Sequence, residues 1–223
     1  MRKTLLSILL AVTTIAVAQT QQELRDSLKL ITQQSSFAPD SIDLRLKKAS
    51  YNVMLEQWEY AKNEYDYVLN REPLNIAALY YRAYVNERLG RYNFARLDYQ
   101  NLLTVVPGNF EAQLGLALLN QKDKHYREAM DGINILVEAF PDSAVAYAAR
   151  AGMEKERKMY DIAVYDFDKA ISIETDNQDY KLNKIDALIL AGRKEEAERC
   201  LNELVKAGTP KASLMELYKR CKK

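Results

Sequence analysis

The chain has 223 residues, of which 32 are Lys or Arg and 31 are Asp or Glu, so its formal net charge is +1. Nothing in this balance suggests nucleic acid, whose binding requires a concentrated basic face, and we expect no nucleic-acid partner. With only 7 glycines and 5 prolines against 48% hydrophobic residues, the composition favours a folded and mainly helical protein.

Residues 1–18 have the features of a secretory signal peptide. A basic start at Arg2 precedes an apolar run from Leu5 to Val17, and small residues favour cleavage after Ala18. The run is shorter than the roughly 20 residues that span a bilayer, so a retained anchor is the less favoured alternative. We therefore predict an exported bacterial protein, located in the periplasm and without an integral membrane segment after cleavage.

Residues 19–41 are predicted to form an N-terminal capping helix and a linker. Between Gln21 and Gln34, the apolar residues Leu24, Leu28 and Ile31 lie along one face of a helix. This helix is predicted to cover the end of the region that follows and to present its polar side to water.

A 34-residue repeat organises residues 42–211. An alanine stands at the twentieth position of every repeat. These alanines are Ala61, Ala95, Ala129, Ala163 and Ala197. An aromatic residue precedes the alanine by three positions in the first four repeats, and a proline follows it by twelve in the first three. The five predicted repeats, called repeats one to five below, are residues 42–75, 76–109, 110–143, 144–177 and 178–211.

Each repeat is predicted to fold as two helices joined by a short polar turn. Small residues such as Ala83 and Ala95 let the two helices approach closely, and aromatic residues such as Trp58 and Tyr92 are predicted to pack in the core. Pro107 cannot continue a helix and therefore ends its repeat. Because one helix pair cannot bury its apolar face alone, neighbouring pairs must stack.

The order of small, aromatic, alanine, aromatic and proline residues in repeat two, Ala83, Tyr92, Ala95, Tyr99 and Pro107, resembles the tetratricopeptide repeat (TPR). The resemblance covers 170 residues without an insertion or deletion. It implies an all-α, right-handed superhelical solenoid of about five repeats, in which the first helices line a concave groove that receives peptides. Repeat five departs from the pattern, because a lysine takes the place of the first aromatic residue.

The resemblance also implies which residues line the groove, namely the fifth, ninth and twelfth of each repeat. In repeats one to three these positions form an apolar and aromatic wall with polar groups beside it, a composition typical of interaction sites. The predicted partner-binding residues are Leu46, Val53, Tyr80, Tyr84, Glu87, Arg88, Leu114, Leu118 and Gln121. The alternative is that the N-terminal helix covers these side chains, or that the superhelix closes onto them.

A second departure from the family pattern is an asparagine at the eleventh position, where the family usually has a tyrosine. These residues are Asn52, Asn86 and Asn120. A buried asparagine needs hydrogen-bond partners, so we expect these side chains to connect successive repeats.

Residues 212–223 are predicted to form a C-terminal capping helix. Cys200 lies on the second helix of repeat five and Cys221 on this terminal helix. In an oxidising compartment an even number of cysteines favours a disulfide. Alternatively, both are small buried residues whose Cα atoms lie beyond bridging distance, more than about 7 Å apart.

No catalytic residue, cofactor or metal site is predicted. The only histidine, His125, lies in the turn of repeat three, and the sequence has no nucleophile motif, phosphate-binding glycine loop or His/Cys metal spacing. Carboxylates such as Glu195 and Glu196 stand at helical spacing from basic residues and are expected to support the helix.

The sequence therefore predicts a non-enzymatic protein of the bacterial envelope, a scaffold, an adaptor or a holding chaperone, which binds a protein or peptide in the concave groove. The alternative is a structural module that self-associates through the same apolar wall as a homo-oligomer. An enzyme or a carbohydrate-binding module would need a cluster of polar groove residues that the sequence does not show.

Overall fold

The computed structural model describes the backbone of residues 2–222 and the side chains of residues 20–222. The described part contains α-helices and one short 3-10 helix, Lys211–Leu214, and no strand, which confirms the predicted all-α class. The helices are α1 (Arg2–Phe37), α2 (Ile42–Met54), α3 (Trp58–Arg71), α4 (Ile76–Arg88), α5 (Tyr92–Val105), α6 (Phe110–Lys122), α7 (Tyr126–Ala139), α8 (Ala144–Glu156), α9 (Tyr160–Ile173), α10 (Gln178–Leu190), α11 (Lys194–Lys206) and α12 (Met215–Lys222).

The predicted signal peptide, residues 1–18, lies outside the residues whose side chains the structure describes. Within the described residues, no helix combines the length and the apolar character that a membrane crossing requires.

The helices form two compact units, residues 1–115 and 116–223. The N-terminal unit holds α1 to α5 and the first turns of α6. Within this unit, α1 packs against α2. The C-terminal unit holds the rest of α6 and α7 to α12, and α12 packs against α10 and α11. Each predicted repeat contains one pair of helices, from α2 and α3 in repeat one to α10 and α11 in repeat five.

The residue immediately before the first helix of each repeat is a Ser or an Asn. The side-chain oxygen of this residue accepts a hydrogen bond from a backbone N–H of the first turn, which satisfies a donor that the helix itself leaves unpaired. These capping bonds run to Ser41 from Leu44 (3.4 Å), to Asn75 from Ala78 (2.9 Å), to Asn109 from Ala112 (2.8 Å), to Ser143 from Ala146 (3.2 Å) and to Asn177 from Tyr180 (3.3 Å).

A residue with left-handed backbone conformation, the fifteenth of the repeat, stands two positions after the end of each of these helices. These residues are Glu56 (φ 56°), Gly90 (φ 72°), Lys124 (φ 62°), Lys158 (φ 63°) and Gly192 (φ 78°). The next backbone N–H then bonds to the carbonyl of the eleventh residue, as from Arg91 to Asn86 at 2.7 Å. This geometry closes the helix with a Schellman-type turn and directs the chain into the second helix.

The repeated alanines lie at the contact between the two helices of each pair. Ala61, Ala95 and their equivalents are fully buried, as the pattern predicts. The aromatic residues that were predicted to pack beside them do not fill the core: Trp58 and Tyr92 are only half-buried, and Tyr126 is exposed. They are the first residues of the second helices, where the chain has just left the surface turn, and this position keeps part of the ring in water.

Candidate functional site

On the N-terminal unit, the side chains of α4 that point away from the core carry an aromatic cluster. The Tyr84 ring meets the Trp58 ring edge to face at a centroid distance of 6.0 Å. The Arg88 guanidinium lies 5.0 Å from the centroid of the same Trp58 ring. Tyr84 is 37% exposed and Arg88 is also exposed, so this Trp58–Tyr84–Arg88 cluster is open to solvent.

Tyr80, the other tyrosine of the predicted groove, has a structural role. Its ring packs edge to face on Tyr99 at 6.0 Å and on Tyr81 at 5.3 Å. Burial raises the pKa of Tyr80, and the nearby Glu111 carboxylate raises it further. Tyr80 is therefore tied to the buried Tyr99 and contributes only part of its ring to the surface.

A glycine makes this packing possible. A Cβ on Gly115 would stand 2.7 Å from the ring of Tyr99, closer than van der Waals contact allows. Gly115 is thus the residue of α6 that admits the Tyr99 ring, and it stands next to the predicted groove residue Leu114.

The remaining predicted groove residues of the N-terminal unit are less open than expected. Leu46, Val53, Glu87 and Leu114 are all half-buried. The exposed part of the predicted groove in this unit therefore centres on Tyr84 and Arg88. Trp58, which was predicted to pack in the core, contacts both of them.

In the C-terminal unit, the two predicted groove residues of α6 differ. Leu118 is exposed, whereas Gln121 is only 9% exposed and its side-chain amide donates to the Glu156 carboxylate at 2.6 Å. Gln121 thus connects repeats three and four and is not part of the exposed surface.

Farther along the C-terminal unit, in repeats four and five, residues at the groove positions form ion pairs. Asp186 of α10 accepts hydrogen bonds from Lys155 at 3.0 Å and from Arg220 of α12 at 2.7 Å. Burial acts to raise the pKa of Asp186, but the bonds from Lys155 and Arg220 outweigh it and the pKa is lowered. The terminal helix therefore lies against the first-helix side of repeat five.

Sequence reasoning missed a recurring set of buried ion pairs. Arg82 of α4 bonds to Asp98 of its own repeat at 2.6 Å and to Asp66 of the preceding repeat at 2.8 Å. In repeat four, Arg150 forms the equivalent bond with the fully buried Asp166. The signal was a basic residue at the seventh position and an acidic one sixteen residues later. Repeat three lacks both the basic and the acidic residue, and its seventh residue is Leu116.

These pairs also correct the role predicted for Asn86. The amide of Asn86 donates to Asp98 at 3.2 Å, so it bonds within its own repeat and does not connect successive repeats. The connection between repeats one and two comes instead from Arg82 to Asp66, and from Arg91 to Glu59 at 2.7 Å. Asn52 and Asn120 are buried at the same position of their repeats.

Cys200 and Cys221 are free cysteines in the structure, the first half-buried and the second buried. Lys184 affects the pKa of the Cys200 thiol, whereas Lys194 and Glu198 affect the pKa of the Cys221 thiol. Lys194 and Glu198 lie on a different side of α11 from Cys200. Burial raises the pKa of both thiols. The disulfide therefore stays a prediction, with two unbridged cysteines as its alternative.

The histidine lies where the sequence placed it, in the turn before α7. The Nδ1 atom of His125 is 3.3 Å from the Asp123 carboxylate. His125 is exposed and Asp123 is half-buried. Among residues 20–222, no group of three His, Cys, Asp or Glu side chains is arranged to hold a metal ion.

No protein-family profile and no curated protein sequence matches this chain. Solved structures do match. A tetratricopeptide repeat protein from Parabacteroides merdae is 24% identical with a TM-score of 0.70, over 93% of this chain and 81% of that protein. MamA from Desulfovibrio magneticus is 15% identical with a TM-score of 0.63, over 71% of this chain and 93% of that one. YrrB, described as a TPR protein with an unusual peptide-binding site, is 16% identical with a TM-score of 0.58, over 80% and 92%.

The helix pairs, their 34-residue period, their shared caps and turns and the agreement with solved structures lead to one identification. The chain has the fold of the tetratricopeptide-repeat proteins.

Proposed function

We propose that the chain binds a protein or peptide partner through the first-helix side of repeats one and two. The observation that carries this proposal is the exposed Trp58–Tyr84–Arg88 cluster. Tryptophan, tyrosine and arginine are the residue types that dominate binding energy at protein interfaces, and here a tyrosine and an arginine both contact one tryptophan at the surface.

The position of the cluster supports a docking role. Tyr84 holds the ninth position of repeat two, which the family resemblance assigns to ligand contact. The Arg88 guanidinium rests on the Trp58 face, so its side chain is partly ordered before a partner arrives and less conformational entropy is lost on binding. A related fold, YrrB, is described as having a peptide-binding site, which supports the same kind of activity in this chain.

We further propose that the protein acts without catalysis, as a scaffold, an adaptor or a holding chaperone of the bacterial envelope. The export part of this proposal rests on residues 1–18. Fusing these residues to a reporter enzyme that is active only outside the cytoplasm tests it: an inactive fusion would overturn the proposed location.

Affinity capture from envelope extract of the source bacterium, with mass spectrometry, tests the binding role. The informative variant is Tyr84→Asp, because Tyr80 contacts the core through Tyr99 and its replacement would disturb the fold. The matched control is Tyr60→Asp, which changes an exposed tyrosine of α3 in the same unit.

We expect a partner that the native chain and the Tyr60 variant retain and the Tyr84 variant loses. A partner retained equally by all three chains would place the site elsewhere. Recovery of the chain alone, together with a concentration-dependent mass, would replace the proposal with self-association.

A further inference from the structure

Within the Trp58–Tyr84–Arg88 cluster, the Arg88 guanidinium is not part of an ion pair. Four other arginines of repeats one and two each pair with a carboxylate. The pairs are Arg45 with Glu64 (2.8 Å), Arg71 with Asp40 (2.7 Å), Arg82 with Asp98 (2.6 Å) and Arg91 with Glu59 (2.7 Å). No carboxylate of residues 20–222 pairs with Arg88, whose guanidinium contacts the Trp58 ring. Its positive charge can therefore interact with a ligand.

The Arg88 charge lies at one end of an aromatic surface. Tyr80, Tyr84 and Arg88 are four residues apart from one to the next and therefore share one side of α4. The Trp58 ring contacts both Tyr84 and Arg88. Tyr84 is exposed and Trp58 half-buried, so both rings offer apolar contact to a ligand. A segment that packs on Tyr84 thus comes within reach of the Arg88 guanidinium, one helical turn away.

The opposite end of this surface is negative. Burial raises the pKa of Tyr80, and the Glu111 carboxylate of α6 raises it further, which places that carboxylate near the Tyr80 ring. A ligand anion is repelled at the Tyr80 end and attracted at the Arg88 end. The charges therefore define where an acidic group of a bound segment can lie.

A single guanidinium favours an anion with one charge. The nearest arginine along the chain, Arg91, bonds to both carboxylate oxygens of Glu59, at 2.7 and 3.1 Å, so its charge is already compensated. Phosphate groups carry roughly two negative charges and are recognised by clusters of arginines, and chain-terminal carboxylates are captured by sets of backbone donors. A side-chain carboxylate instead matches the fork of one guanidinium, which binds it through two parallel hydrogen bonds.

We propose that the docking surface recognises an aspartate or glutamate side chain of the partner that stands beside an apolar residue. The carboxylate accepts two hydrogen bonds from the Arg88 guanidinium, and the apolar residue packs on Tyr84 and Trp58. This inference rests on the proposed function and adds the chemistry of the residue that is bound. The partner segment then loses affinity when its acidic residue is made neutral and when the salt concentration rises.

Blocked peptides test this chemistry directly by titration into the ¹⁵N-labelled chain. Trp58 is the only tryptophan, so its indole N–H gives a single NMR signal at the site itself. Two acetylated and amidated pentapeptides are compared, identical except for a central glutamate or glutamine between leucines. We expect both to shift the Trp58 signal and the glutamate peptide to bind with a Kd about three- to tenfold lower, the effect of one charged contact at an exposed site. Raising NaCl from about 50 to about 500 mM should remove most of this preference.

Two variants assign the preference to Arg88. Arg88→Met removes the charge and keeps a long side chain beside Trp58. The equivalent residue of repeat one is the exposed Met54, so the fold accommodates methionine there. This variant should bind both peptides equally. Arg127→Met is the matched control, because it makes the same change in net charge at a highly exposed arginine of α7. It should keep the native preference for the glutamate peptide.

Two further peptides distinguish the sources of an anion. One has phosphoserine at the central position, and the other has the central glutamine and a free C-terminal carboxylate. Neither should bind more tightly than the glutamate peptide. Tighter binding of either one would overturn the assignment to an acidic side chain, in favour of a phosphopeptide or a chain terminus.

The outcomes also separate this inference from the proposed function. Equal binding of the glutamate and glutamine peptides at Trp58, or an Arg88→Met variant that keeps the preference, would overturn the acidic residue and leave the docking surface in place. If no peptide shifts the Trp58 signal, the inference is likewise overturned. The capture experiment with Tyr84→Asp then decides the docking role separately.

Discussion

Glu154 occupies the position at which repeats one to three have asparagine, and its carboxyl group is buried in α8. It is 4% exposed, and its Oε2 atom has no hydrogen-bond partner among the described residues. Burial, reinforced by the nearby Asp166 carboxylate, raises the pKa of Glu154 to about 7, although Arg150 opposes the shift. In the unfolded chain the same group has an ordinary pKa near 4.5.

The consequence is a loss of stability as pH rises. Because the folded protein holds the Glu154 proton more tightly than the unfolded chain, the penalty for ionising the buried group is nearly absent below pH 4.5 and complete above pH 7. A pKa difference of this size corresponds to roughly 3 kcal/mol, at 1.36 kcal/mol for each pKa unit. Most of it, about 2 to 3 kcal/mol, should develop between pH 5 and pH 8.

Glu154→Gln removes the titration while keeping the shape of the side chain. We expect the free energy of unfolding of the variant, relative to the native chain, to increase by about 2 to 3 kcal/mol between pH 5 and pH 8. Urea titrations at pH 5, 6, 7 and 8 and constant ionic strength measure this difference. Other titrating groups are common to both chains and cancel.

Glu138→Gln is the matched control, because it changes an exposed glutamate of α7. Its effect should stay within about 0.5 kcal/mol at every pH. A difference between the Glu154 variant and the native chain that does not change with pH would refute the reasoning, since it would mean that Glu154 ionises as easily in the folded state as in the unfolded chain.

Four further outcomes are expected. Lys158→Gly relieves a left-handed backbone at φ 63° and should raise stability by about 0.5 to 1 kcal/mol, seen as a higher thermal midpoint; a lower one would contradict this reading of the turn. Gly115→Ala places a Cβ 2.7 Å from the Tyr99 ring and should cost about 1 to 3 kcal/mol in urea unfolding, whereas Gly152→Ala meets open space and should stabilise by about 0.5 to 1 kcal/mol. Asp166→Asn removes the buried partner of an arginine and should cost about 3 kcal/mol; a loss below about 1 kcal/mol would show the pair to be solvated. Both cysteines should react with a thiol reagent in denaturant without a reductant, and a chain lacking free thiols would mean that the disulfide forms.

The all-α class and the helix-pair repeat could be predicted from the sequence because they depend on local spacing. Alanines at a 34-residue period mark close helix contacts, and the Ser or Asn before each first helix caps it by a bond to its own first turn. Such interactions connect residues a few positions apart, so the same local sequence produces them in every repeat.

The candidate site was only partly predictable. Tyr84 and Arg88 are at the surface as expected, but Gln121 bonds to Glu156 and Tyr80 packs on Tyr99. The position of a residue within its repeat predicts which side of the helix the residue occupies. It does not state which neighbour from another helix will contact and cover the side chain.

The sequence by itself thus determined the repeat, its helices and the residues that share a face, because helical periodicity and capping are properties of short segments. Only the tertiary structure decided which polar groups are paired. Arg82 joins Asp66 and Asp98, residues sixteen positions away on either side, whereas Oδ1 of Asn86 is buried without a hydrogen-bond partner among the described residues. That choice depends on side chains that meet across three helices, and their distances follow from packing rather than from spacing along the chain.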